Sequence, residues 1–123
     1  MTLGRIWRDV RGATAVEFGM TAPIFFMLLF GVIEGGRLLW TQVALQHGAE
    51  MAARCASIGN TTLCPSVKDY AAQETLGLHP PSSVFTVTPG TETCVKANYT
   101  FTFFTAYSGT PSLSLSAQSC VPT

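Results

Sequence analysis

The sequence predicts an α+β protein. One long N-terminal helix, transmembrane in its first half and amphipathic in its second, leads into a short second helix and a small antiparallel β-sheet head. Three observations carry this prediction. Residues 13–33 hold a single charged side chain, Glu17, in 21 positions. Helical spacing continues without a proline from Ile24 to Ile58, where Gly59-Asn60 supplies a stop. Beyond Ser82 the apolar residues recur at every second position instead.

Composition bounds what such a chain can do. With 123 residues, it has room for one small domain beyond the apolar segment. Charged residues make up 11% and hydrophobic ones 47%, which excludes a highly charged disordered chain. Seven acidic and seven basic side chains balance, but Arg5, Arg8 and Arg11 stand together before the apolar run with only Asp9 against them. No other basic block exists, so no nucleic-acid-binding face is expected.

Residues 1–12 form a basic leader, and residues 13–33 form the membrane span. At 1.5 Å per residue the span is about 31 Å long, close to the thickness of a bilayer's hydrocarbon core. Positive charge before it places the N-terminus in the cytoplasm and the rest of the chain across the membrane. Trp7 and Trp40 bracket it, as aromatics that favour the interface do. The apolar run passes directly into a longer helical pattern, so an anchor fits better than a secretory signal removed with its apolar core. Glu17 is the exception inside the span. A lipid-facing charge there costs at least about 2 kcal/mol, so it is read as functional, with a partner to be found.

The helix is expected to run from Ala13 to Ile58, with Pro23 and the Gly35-Gly36 pair as kinks or weak turns. Leu38, Val43 and Leu45 are assigned to one broad apolar stripe, continued by Ala49, Ala52, Ala53 and Ala56. Glu34 and Arg37 are spaced as an exposed i,i+3 pair at the membrane surface, and Glu50 and Arg54 as an i,i+4 pair. Gly31 and Gly35 make a G-x-x-x-G that lets helices approach closely.

The head is expected over residues 59–123. Ser66 caps a second helix over 66–76, which His79-Pro80-Pro81 ends. Strands are expected at 84–88, 93–104 and 112–120. Four cysteines, Cys55, Cys64, Cys94 and Cys120, lie on the outer side, and an even count in a small exported domain points to two disulfides with three possible connectivities. Placing Cys94 opposite Cys120 in an antiparallel pair sets Phe101 against Leu113, Tyr99 against Leu115 and Ala97 against Ala117. A one-residue slip breaks every match. This favours Cys94–Cys120 with Cys55–Cys64. The cysteines with His47 and His79 show no zinc-ligand spacing, so no metal and no cofactor is expected. Phe104 and Tyr107 fall outside the core pattern. No nucleophile motif appears, so no enzyme is expected.

Gly12-Ala-Thr-Ala-Val-Glu17-Phe18 places a glutamate five residues after a glycine, behind a basic leader and ahead of an apolar helix. This resembles the processing site of type IV pilins. The longer run RGATAVEFGMTAPIFF, with EGGR at 34–37, resembles the TadE-like minor pilins (pseudopilins) of tight-adherence pili. The resemblance covers roughly residues 11–58 and leaves the head without a motif. It implies cleavage between Gly12 and Ala13 by a prepilin peptidase, a separate membrane aspartic peptidase. It also implies that Glu17 and Phe18 take part in subunit contacts, Glu17 pairing with the N-terminal amine of a neighbouring pilin subunit. Removing three arginines and one aspartate from a chain of zero net charge would leave −2. The implied location is the bacterial inner membrane with the head outside, or an extracellular pilus. The alternatives are an uncleaved single-span protein whose head binds a partner, and a membrane-anchored exported enzyme.

Overall fold

The computed structural model describes residues 10–59, 62, 64–104 and 111–122. A 49-residue helix, α1, runs from Val10 to Ile58 and carries Pro23 inside it. It begins three residues before the expected start, so Gly12 and Ala13 lie within helix rather than at its edge. The helical assignment passes through Gly35-Gly36 without a break. Its end comes at Gly59, whose φ of +65° is left-handed and whose N–H reaches the carbonyl of Ala56.

The chain divides into two compact units, residues 1–35 and residues 36–123. In the first, side chains from Gly12 to Ile33 are exposed, apart from a half-buried Ala22. Glu34 departs from expectation: it is 8% exposed rather than a surface residue. Periodicity explains the difference, since Glu34 lies on the helix face of Leu38, Thr41 and Leu45, at i+4, i+7 and i+11.

The second unit contains the rest of α1, a helix α2 (Val67–Gln73), and strands β1 (Phe85–Thr88), β2 (Glu92–Thr102) and β3 (Ser112–Pro122). The sheet is antiparallel in the order β1-β2-β3. Cys94 faces Cys120, and Phe101 faces Leu113, Tyr99 faces Leu115 and Ala97 faces Ala117. Disulfides join Cys55 to Cys64 and Cys94 to Cys120. The core gathers Leu45, Ala49, Ala52 and Ala53 of α1 with Ala71, Phe85, Val95, Ala97, Phe101, Leu115 and Ala117. Alanines dominate the helical side because the two helices meet closely. A Cβ at Gly48 would stand 2.7 Å from the carbonyl oxygen of Ala71 and 2.8 Å from Cγ2 of Thr75.

Several boundaries move for local reasons. Ser66 caps α2 by accepting from the N–H of Asp69, but the helix stops at Gln73. Thr75, fully buried, donates to the carbonyl of Ala72 and accepts from the N–H of His79. Leu76 and Gly77 then take positive φ values of 50° and 88°, which no α-helix accommodates. Val84 closes a 3₁₀ turn instead of opening β1. β2 stops at Thr102, two residues short of expectation, and β3 continues to Pro122. Val43 is 57% exposed and leaves the core stripe, because two residues at 100° each put it nearly opposite Leu45. Tyr107 lies outside the described residues.

Candidate functional site

The site expected from the sequence is the first turns of α1. Gly12, Ala13, Glu17 and Phe18 all lie on the helix and all are exposed. Ala13 and Glu17 are spaced i,i+4 and share a face, about 6 Å apart along the axis. Phe18 is 71% exposed, and Met20, Ile24, Phe25 and Met27 beyond it are exposed to similar degrees. Apolar side chains point outward on every side, the pattern of a helix meant for a wholly apolar environment. This is the one helix among the described residues long and apolar enough to cross a membrane, and none of its most apolar window is buried within the chain.

Glu17 stands apart chemically. Among the described residues its carboxylate has no ion pair, whereas Glu50 is bridged to Arg54. Thr21, one turn on, turns its hydroxyl back to the carbonyls of Glu17 and Phe18 at 3.0 and 3.2 Å, satisfying itself inside the helix. Gly12 is equally informative. Nothing lies within 4 Å of where its Cβ would be, and its φ is not left-handed. Glycine in a helix interior costs about 1 kcal/mol relative to alanine, and nothing described in this chain's own packing requires it there.

The head holds features that sequence reasoning missed. Gln42 and Gln46 donate through Nε2 to the carbonyls of Ser116 and Gln118, at 2.9 and 3.2 Å. One turn of α1 thereby covers polar backbone along β3, an edge strand. His47 uses Nδ1–H on the carbonyl of Glu74 at 2.8 Å, a structural bond between α1 and the end of α2. The guanidinium of Arg37 lies 5.2 Å from the ring centroid of Phe101 and 4.1 Å from that of Phe104. Gln-x-x-x-Gln at helical spacing was the only available sign of the first feature, and its partners lie more than seventy residues away. Glu92, Cys94 and Cys120 bring donor atoms together, but both sulfurs belong to a disulfide and offer no thiolate to a metal.

Comparison with known proteins touches the same helix. The family model described as TadE-like protein matches residues 12–54. No curated protein and no solved structure gives a significant match to the chain. The family match and the apolar N-terminal helix suit a pilus-related, single-pass membrane protein. The match begins at the glycine ahead of the lone carboxylate and ends inside the alanine-rich turn of the head; over that helix the chain is similar to TadE-like proteins.

Proposed function

We propose that this chain is a minor pilin: a structural and assembly subunit of a tight-adherence type IV pilus, not an enzyme. Its leader is cut between Gly12 and Ala13 by a prepilin peptidase on the cytoplasmic side. The helix from Ala13 onward stays in the inner membrane until the subunit joins others, with the disulfide-bonded head outside. The observation that carries this reading is the pairing of an unpacked glycine with an unpaired carboxylate five residues later, at the start of the TadE-like match.

The chemistry of the cut supplies what Glu17 lacks. Cleavage after Gly12 creates a positive α-amine on Ala13, and the same cut removes three arginines next to the span. The amine of one subunit and Glu17 of the next can then neutralise each other in an apolar packing of helices. Removing one partner from a buried pair typically costs about 3–5 kcal/mol, enough to fix the axial stagger between subunits. Phe18, beside it and exposed, supplies apolar contact on the adjoining face.

A Glu17→Gln chain tests this. It is expected to enter the membrane as the unaltered chain does but to lose co-purification with the other pilin subunits of its host. Co-purification at the unaltered level would contradict the assembly role of Glu17. The alternative, an uncleaved anchor whose head binds a partner, has the same fold but requires the leader to remain attached.

A further inference from the structure

We propose that the Cys94–Cys120 bond is a thiol–disulfide exchange site whose substrate is a dithiol, and that Cys94 is the sulfur attacked. The other bridge, Cys55–Cys64, is held out of that reaction. Every residue involved lies in the unit 36–123, so the site stands apart from the membrane span and from processing at Gly12.

The two bridges differ first in access. Cys55 and Cys64 are buried, at 9% and 6% exposure. Cys94 and Cys120 sit directly opposite each other on β2 and the edge strand β3, on the sheet face turned away from Val95 and Ala97 of the core. Cys94 is half-buried there and Cys120 is exposed. Exchange requires a thiolate to reach a sulfur of the disulfide, so the open bridge is the one that reacts. Its neighbours then distinguish its two sulfurs. Gln118 donates through Nε2 to Sγ of Cys120 at 3.3 Å. A carboxylate oxygen of Glu92 lies within 4.8 Å of both sulfurs.

Those neighbours set the direction of the reaction. The sulfur that leaves does so as an anion, and whatever stabilises that anion speeds the exchange. The amide N–H of Gln118 on Sγ of Cys120 therefore makes Cys120 the leaving thiolate and Cys94 the electrophile. The Glu92 carboxylate opposes it, because it repels an incoming thiolate. One thiolate of the dithiol attacks Sγ of Cys94; an intermolecular disulfide forms, the Cys94–Cys120 bond breaks, and its electron pair leaves on Cys120. The reagent's second thiolate then attacks the reagent's own sulfur in that mixed disulfide and releases the Cys94 thiolate. Both protein thiolates take up the protons that the dithiol lost. The dithiol is oxidised by two electrons, and the head is reduced by two. The β2–β3 ladder, running from Glu92–Pro122 to Thr102–Ser112, keeps the register while the bond is open.

The test uses the full chain in detergent, with dithiothreitol as the probe, iodoacetamide to trap free thiols and peptide mass spectrometry to place them. The expected result is labelling of Cys94 and Cys120 at least about tenfold faster than of Cys55 and Cys64, a gap that closes in guanidinium chloride. Equal rates in the folded chain, or faster labelling of Cys55 and Cys64, would overturn the proposal. Gln118→Leu should slow the opening of Cys94–Cys120 by about 2–10-fold, the worth of one hydrogen bond. Glu92→Gln should speed it by about 2–5-fold. A merely destabilised head would open faster in both variants, so slower opening in Gln118→Leu reports the hydrogen bond itself. An unchanged or faster rate in that variant would overturn the role of Gln118. With glutathione as a monothiol probe, the trapped adduct should sit on Cys94, and an adduct on Cys120 would overturn the assignment of the leaving sulfur.

Discussion

Residues 12–33 and residues 38–53 belong to one continuous helix, yet the two stretches solve opposite problems. The first carries Phe18, Ile24, Phe25, Met27 and Leu28, large side chains left mostly exposed. The second carries Ala44, Leu45, Ala49, Ala52 and Ala53, all with no exposed surface. Large residues sit where the chain itself offers no partner, and small ones where α2 and the sheet come close enough to exclude anything bigger. Each uncovered large side chain forgoes on the order of 1.5–3 kcal/mol of burial, so the first stretch demands lipid or other helices as its surroundings. The second stretch is satisfied within the chain. The comparison therefore assigns folding stability to the second stretch and leaves the first with its apolar surface turned outward, and substitutions should separate the two.

The largest effect on the satisfied side is expected at Phe85, 1% exposed and packed at the centre of the head. Phe85→Ala should cost about 3–5 kcal/mol of unfolding free energy, measured by chemical denaturation of the detergent-solubilised chain, while membrane partition stays unchanged. Replacing Cys94 and Cys120 together by serine should cost roughly 3–4 kcal/mol. That bridge closes a loop with a sequence separation of 26, against 9 for Cys55–Cys64, whose loss should cost less. Gly48→Ala comes next, at about 1–3 kcal/mol, because the new methyl meets the backbone of α2 rather than a flexible side-chain tip. A silent Gly48→Ala would mean that α1 and α2 approach less closely than the structure has them. Smallest on stability is Glu17→Ala, within about 0.5 kcal/mol in the same denaturation assay, yet it should abolish assembly with other pilins. A large stability loss there would break the division between the two stretches.

The sequence made much of this legible, and its failures have identifiable causes. The sheet register could be read because Phe101, Tyr99 and Ala97 must all find apolar partners on one face, which a slip destroys at once. The change of period at Ser82 marked where helix gave way to sheet. Val43 lies off the core stripe because apolar character alone does not follow the 100° turn per residue. Glu34 is the opposite case: its charge suggests water, although its helix face leads to Leu38, Thr41 and Leu45. The end of α2 depended on the Thr75 hydroxyl taking up backbone groups, a local competition that composition does not reveal. The glutamine contacts to β3 and the stacking of Arg37 on Phe101 and Phe104 join residues more than sixty positions apart, and only the fold brings them together. At the start of α1, Gly12 and Glu17 are recognised by their spacing alone, which needs no tertiary structure.

The central claim is that the first stretch is made for partners outside the chain after its leader is removed. Intact mass and N-terminal sequencing of the protein purified from its native host test this most directly. The account predicts a mature chain that begins at Ala13 and lacks the mass of residues 1–12. A chain that still begins at Met1 would contradict it, leaving Glu17 without the amine it is proposed to meet.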